Sequence, residues 1–188
     1  MPQFSNKNYI YTPLFCEENI WKLTETLYMN QFAKPIDVLF ILNNTNSIAL
    51  FEQKLSVDNK PVIWDYHVIL SARKEGEIVI FDFDSRCSLP ETIQNYFDLT
   101  FPVNTHLAET YQPLIKPLKA EYFLKHFYSN RQHMQGVIDN RKFPKYQIIQ
   151  PETGVHQLPL EQCRKTYAGS TDDGLHLPHD YLKDIITL

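Results

Sequence analysis

Apolar residues recur at helical spacing just after Cys16. In CEENIWKLTETLYMNQF, residues Ile20, Leu23, Leu27 and Phe32 share one stripe. Glu17 and Glu18 fall in the first turn, where the helix dipole favours acids. The pattern predicts a helix ended by Pro35. DVLFILNN, 37–44, is a short apolar run bounded by Pro35 and a polar Asn cluster, and it predicts a buried strand. SIALFEQ, 47–53, predicts a second, weaker strand, and SVDNKP a turn. PVIWDYHVIL, 61–70, predicts one continuous strand. Val62, Trp64, Tyr66, Val68 and Leu70 lie on one face, and Ile63, Asp65, His67 and Ile69 on the other. Beyond the loop SARKEG, EIVIFDFDS at 77–85 predicts a strand with Ile78, Ile80, Asp82 and Asp84 opposed to Val79, Phe81 and Phe83.

The pattern weakens beyond residue 86. Residues 91–99 predict a short helix. Residues 119–130 predict another, with Ala120, Phe123, Leu124 and Phe127 on one stripe. Residues 1–15 read as an irregular arm. The Pro-rich C-terminal part reads as irregular too, apart from YQIIQ at 146–150 and a last turn at DYLKDII. One helix, a block of strands and then mixed structure predict an α+β fold. It is a single domain over 1–188, with a largely antiparallel sheet flanked by helices.

The chain has 188 residues, enough for one sizeable core and too few for two. With 43% apolar and 21% charged residues it is a globular rather than a disordered chain. A net charge of −4 lacks the basic excess of a nucleic-acid binder. No run approaches the ~18 apolar residues of a membrane span. The polar start MPQFSNKNYIYTP lacks the order of a signal peptide. Cys16, Cys87 and Cys163 are odd in number and widely spaced, without a CxxC pair. That argues against a disulfide framework or a zinc knuckle and for a reducing compartment. The expectation is a cytoplasmic protein (also nuclear in a eukaryote), monomeric, with no nucleic-acid or membrane partner.

Cys16 sits at a predicted helix start, where unpaired N–H groups and the dipole favour a thiolate. Glu17 and Glu18 oppose that, and a small buried apolar cysteine is the simpler reading. His67 alone reads as a half-buried histidine satisfied by a backbone carbonyl. The hairpin changes this. A four-residue loop at 73–76 places Ala72 opposite Glu77 and so His67 opposite Asp82, on one face. A carboxylate beside an imidazole fixes its tautomer and supports the imidazolium, as in a nucleophile–base–acid triad. A purely structural His–Asp pair fits the spacing equally well. His176 and His179 have a metal-like spacing, but no further ligands complete a site. GxSxG, P-loop, GxGxxG and HExxH motifs are absent.

Three stretches resemble one known family, the protein N-terminal glutamine amidohydrolases. Cys16-Glu17-Glu18-Asn19-Ile20-Trp21-Lys22-Leu23 resembles its nucleophile motif. Pro61-Val62-Ile63-Trp64-Asp65-Tyr66-His67-Val68 resembles its histidine motif, with the WDYH signature. Phe81-Asp82-Phe83-Asp84 resembles its aspartate motif, in which the first acid is the triad member. A weaker echo runs through Tyr122-Phe123-Leu124-Lys125, Ser129-Asn130-Arg131 and His133-Met134. Departures are Phe15 where the family has Tyr, a hairpin loop about one residue shorter, and a poor match from about Phe143 onward.

The resemblance implies a papain- or transglutaminase-like core and a catalytic set of Cys16, His67 and Asp82, without a cofactor. It implies substrates that are proteins or peptides with a free N-terminal Gln, converted to Glu through a Cys thioester. In hosts with the family's pathway, that Glu is arginylated and leads to degradation. Such an enzyme must read the substrate's α-ammonium, and Glu17, Asp65 and Asp84 are the candidate carboxylates. Trp64 is a candidate cavity wall, although strand alternation puts it and Tyr66 in the core, opposite His67. The rival expectations are a related thiol enzyme (an internal-Gln deamidase, a transglutaminase or a peptidase) and a non-catalytic module that binds N-termini.

Overall fold

The structure, a computed structural model, describes residues 9–165 and 174–187. Helix α1 (Cys16–Asn30) ends where Gln31 adopts a left-handed conformation and donates its N–H to Leu27 O at 2.9 Å. Strands β1 (Lys34–Leu42), β2 (Ile48–Leu50), β3 (Val62–Trp64), β4 (His67–Lys74), β5 (Glu77–Phe81) and β6 (Glu91–Thr92) follow. Then come α2 (Ile93–Thr100), β7 (Leu114–Lys119), α3 (Ala120–His126), β8 (Phe127–Tyr128), β9 (Leu158–Pro159), α4 (Leu160–Cys163) and α5 (Pro178–Ile186). Five strands form an antiparallel sheet in the order β6-β5-β4-β1-β7. Strands β2 and β3 form an antiparallel pair apart from it, and β8 and β9 a short parallel one. The fold is α+β, in agreement with the sequence pattern.

Alternation along the central strands builds two cores, one on each face of the sheet. Val38, Phe40 and Leu42 of β1 and Val68, Leu70 and Ala72 of β4 meet Ile20, Leu23 and Leu27 of α1 and Phe123 of α3. Leu39, Ile41 and Ile69 point the other way, onto Ile93 and Phe97 of α2 and Tyr181 and Leu182 of α5. Each fully buried side chain of this size stabilises the fold by about 1.5–3 kcal/mol. This layering sets the site, because α1 covers one face and α2 the other.

Several boundaries differ from the sequence expectation. Residues 61–70 are two strands rather than one. The chain bends at Asp65–Tyr66, because β3 pairs with β2 while β4 joins the main sheet. The β4–β5 loop is Glu75-Gly76 alone, both at positive φ (51° and 91°), as a two-residue hairpin turn requires. Lys74 therefore pairs with Glu77 and Ala72 with Val79, a register two residues from the predicted one. An even shift leaves every side chain on its predicted face. Strand β5 stops at Phe81, and α3 stops at His126. Residues 146–150 have no regular structure. Strand β7 was not predicted because Pro117 reads as a breaker. It is tolerated there because β7 is an edge strand.

Candidate active site

Residues from α1, the β3–β4 bend and the segment after β5 line a cavity of about 310 Å³. The arm before α1 sets the place of Cys16. The Asn19 side chain accepts from Thr12 N–H and donates to Thr12 O, both at 2.8 Å. Leu14 then turns through a left-handed conformation (φ 68°), and Phe15 is fully buried beside Phe143. Cys16 opens the helix with its thiol on the cavity.

His67 is the first residue of β4 and is 1% exposed. Its Nε2 bonds Asp82 Oδ1 at 2.8 Å, while Nδ1 is buried with no hydrogen-bond partner. Asp82, just after β5, is held from four sides. Besides His67, the Asp84 N–H donates to Oδ1 at 2.9 Å, Tyr96 OH to Oδ2 at 2.8 Å and Gln53 Nε2 to Oδ2 at 3.3 Å. Burial alone would raise the Asp82 carboxyl, but the His67 charge and these donors hold it below its ordinary value. Burial would lower His67, but the Asp82 charge and hydrogen bond, with Asp84 and Glu17, hold it above. The hairpin's two-residue shift makes Asp82 a diagonal rather than a direct neighbour, and the contact survives because the face is kept.

The thiol departs from the helix-start expectation. Burial first, then the charges of Glu17 and Asp84, push Cys16 well above its ordinary value. The Val68 N–H pulls only partly the other way. These surroundings favour the protonated thiol over the thiolate.

Glu17 and Glu18 lie in the first turn of α1, as expected, and both are fully buried. Tyr66 OH donates to Glu17 Oε2 at 2.9 Å, the Cys16 sulfur lies 3.7 Å from the same oxygen, and His133 Nε2 lies 3.5 Å from Oε1. Burial, with a further push from Glu18, raises the Glu17 carboxyl to about 7, against the lowering effect of its own backbone N–H and of Tyr66. Glu18 is a structural anchor. It accepts from Ser129 Oγ at 2.7 Å, Arg131 Nε at 2.9 Å and an Arg131 terminal nitrogen at 2.8 Å. Arg131 also donates to the carbonyls of Pro144, Tyr146 and Gln147, which pins the 129–149 segment to α1.

The bend at Asp65 overturns the alternation expected for the aromatics. Trp64 stacks on the His67 ring (centroids 5.4 Å, planes 17° apart) and lines the cavity. Tyr66 belongs both to the core and to the cavity wall. Asp65 is on the cavity but paired with Arg164 at 3.0 Å, and Arg164 lies over the Tyr66 ring at 4.0 Å. Asp84 is on the cavity, accepting from Tyr11 OH at 2.5 Å. One donor atom each of His67, Asp82 and Asp84 lies within 4.8 Å of the others. Two of these groups, His67 and Asp82, are already joined by a 2.8 Å hydrogen bond, which does not fit a free ligand set for a metal.

Sequence reasoning missed Tyr96, Gln53 and Arg164. Tyr96 lies on an apolar helix stripe that reads as core, and nothing local marks the other two. His133 and Met134, which line the cavity, surfaced only through the weak fourth motif echo.

These features define a class, an α+β protein with a thiol and an imidazole–carboxylate pair gathered around one cavity. The chain belongs to the family described as N-terminal glutamine amidase, which matches residues 11–171. It is similar to the protein N-terminal glutamine amidohydrolase of Danio rerio, 36% identical over 144 residues that cover 74% of this chain and 71% of the relative. The enzyme of that name from Arabidopsis thaliana is 31% identical over 201 residues, covering 94% and 91%. That of Homo sapiens is 30% identical over 155 residues, covering 80% and 75%. The family match runs well past Met134, into the C-terminal part that the motifs alone did not reach.

Proposed function

We propose that this protein hydrolyses the side-chain amide of an N-terminal glutamine in proteins or peptides, giving N-terminal glutamate and ammonia. Cys16 is the nucleophile, His67 the acid–base and Asp82 the group that orients and charges the imidazole. The observation that carries this reading is the His67 ring. It is tied through Nε2 to a saturated Asp82, and its Nδ1 is left without a partner beside a cavity shared with Cys16. His67 Nδ1 accepts the Cys16 proton as sulfur attacks the carboxamide carbon. The Cys16 N–H, at the first helical position, supports the oxyanion. His67 returns the proton to the leaving nitrogen, ammonia departs and a γ-glutamyl thioester remains. Water, deprotonated by His67, adds to the thioester and releases glutamate and the thiol. The scheme balances without a metal, an oxidant or an organic cofactor.

The free state of Cys16, Cys87 and Cys163 supports a reducing compartment such as the cytoplasm. Among the described residues no helix is long and apolar enough to cross a membrane. We read the chain as one catalytic domain acting as a monomer, with the papain- or transglutaminase-like arrangement of helix-borne cysteine and strand-borne histidine.

Two short peptides test the reading, one beginning with free Gln and one with acetyl-Gln, with ammonia release as the measurement. Turnover of the free peptide alone is expected. Turnover of both makes the protein a general deamidase, and silence on both ends the proposal. Cys16→Ala should remove activity by on the order of 10⁴-fold or more with an unchanged circular dichroism spectrum.

A further inference from the structure

The cavity has three acids on or near its wall, and they are not equivalent. An N-terminal Gln carries its ammonium four bonds from the carboxamide carbon, about 5 Å away when extended. A carboxylate that reads it must therefore stand next to the reacting groups, with an oxygen free and no cation already on it. Asp65 fails on two counts, since its side chain is 59% exposed and Arg164 already pairs with it at 3.0 Å. Glu17 is 0% exposed and lies behind Tyr66, off the cavity surface. Asp84 meets each condition. It lines the cavity, and its donor atom is within 4.8 Å of those of His67 and Asp82. Its Oδ1 takes the Tyr11 hydroxyl. Among the described residues, Oδ2 has no hydrogen-bond partner and no Lys, Arg or His forms an ion pair with Asp84.

Two contacts hold Asp84 where it is. Its backbone N–H is tied to Asp82 Oδ1 at 2.9 Å, which locks it to the triad acid. The N-terminal arm holds it from outside, with Tyr11 on its carboxylate and the Tyr9 and Tyr11 rings 6.5 and 5.8 Å from the ring of Phe83. An immobilised carboxylate without a cation, beside an imidazole–carboxylate pair, attracts positive charge and is costly to cover with anything neutral.

We propose that Asp84, positioned by Tyr11 of the arm, is the group that reads the substrate's α-ammonium and so restricts the enzyme to N-terminal glutamine. This rests on the function proposed above. A substrate without the ammonium would bury the Asp84 oxygen against carbon, and a site built around such a contact rejects the analogue lacking it.

The test compares a Gln-peptide with its desamino analogue, in which a glutaramoyl group replaces glutaminyl and the reacting amide is unchanged. The unaltered protein should prefer the amine by about 10²-fold or more in kcat/KM, the scale of losing one partner of a desolvated charge pair. Asp84→Asn should raise KM for the amine and collapse the preference by about 10²-fold, and Tyr11→Phe should lower it by a smaller factor. Equal losses on both substrates, with the preference intact, would make Asp84 a mere support for Asp82 and overturn the inference. So would an unaltered protein that accepts both substrates equally. An unaltered protein that turns over neither would instead sink the functional reading itself.

Discussion

Two buried carboxyls flank the cavity, one behind His67 and one behind Cys16, and their surroundings differ. Asp82 receives four hydrogen bonds, from an imidazole, a phenol, an amide and a backbone N–H, and it stays ionised below its ordinary value. Glu17 has one good donor in Tyr66 and an Oε1 with no hydrogen-bond partner, and it is raised to about 7. Burial is the largest effect on both and pushes both upward. The His67 charge, with the donors, decides the outcome at Asp82, so one wall holds a fixed negative charge for the histidine and the other a carboxyl that changes charge near neutrality. Charge behind the imidazole supports proton transfer. Charge beside the sulfur opposes the thiolate.

The sharpest way to break the comparison is to weaken the saturated wall. Asp82→Asn should lower kcat by on the order of 10³–10⁴-fold, through loss of the orienting and charge-supporting role. It should also move the rising limb of the kcat/KM pH profile downward, because His67 loses the largest influence that raises it. An unshifted limb would assign the limb to another group.

Next in size is the neighbour of Glu17 that is fully paired. Glu18→Ala leaves Arg131 buried without its carboxylate and should cost about 3–5 kcal/mol in unfolding free energy, measured by urea denaturation. A loss under about 1 kcal/mol would mean that the Arg131 contacts to backbone carbonyls suffice.

Glu17 itself predicts a pH dependence. Its folded value of about 7 lies above the ordinary 4.5, so the native state binds more protons between those values. Stability should fall by about 3 kcal/mol as pH rises through that window and level off above it. Glu17→Gln should flatten this slope and be more stable than the parent at pH 8, as read from melting temperatures. The His67–Asp82 pair adds its own slopes. The part from His67, raised, is lost as pH climbs through its folded value. The part from Asp82, lowered, is lost as pH drops through its own. A Glu17→Gln profile identical to the parent's would assign the whole slope to that pair.

The smallest effect concerns the hairpin that brings His67 and Asp82 together. Gly76 sits at φ 91° with open space around its missing side chain. Gly76→Ala should therefore cost only backbone strain, about 1 kcal/mol, with kcat nearly unchanged. A large loss of activity would show that the register, and not only the face, matters to the pair.

Much of this was legible along the chain. The α1 stripe, the β1 run and the apolar alternation of β4 and β5 are local patterns, and they predicted the elements that carry Cys16 and His67 and the strand that ends just before Asp82. Asp82 was placed beside His67 from a loop two residues too long, and the error was harmless because a strand repeats every two residues. Other features had no local sign. Tyr66 and Trp64 reach the cavity because β3 leaves the main sheet to pair with β2, a bend that the alternation along 61–70 does not show. Tyr96 and Gln53 come to Asp82 from a helix and a loop 14 and 29 residues away. Arg131 meets Glu18 across 113 residues.

By itself the sequence determined the shared face of His67 and Asp82 and the class of fold, since these follow from periods of 3.6 and 2, while its motifs pointed to the family. Only the tertiary structure decided the charges at the site. A carboxyl's ionisation depends on how much water is removed and on which charges and donors replace it, and distant segments supply all three. The same rule explains why adjacent Glu17 and Glu18 end as a carboxyl titrating near neutrality and a paired anchor.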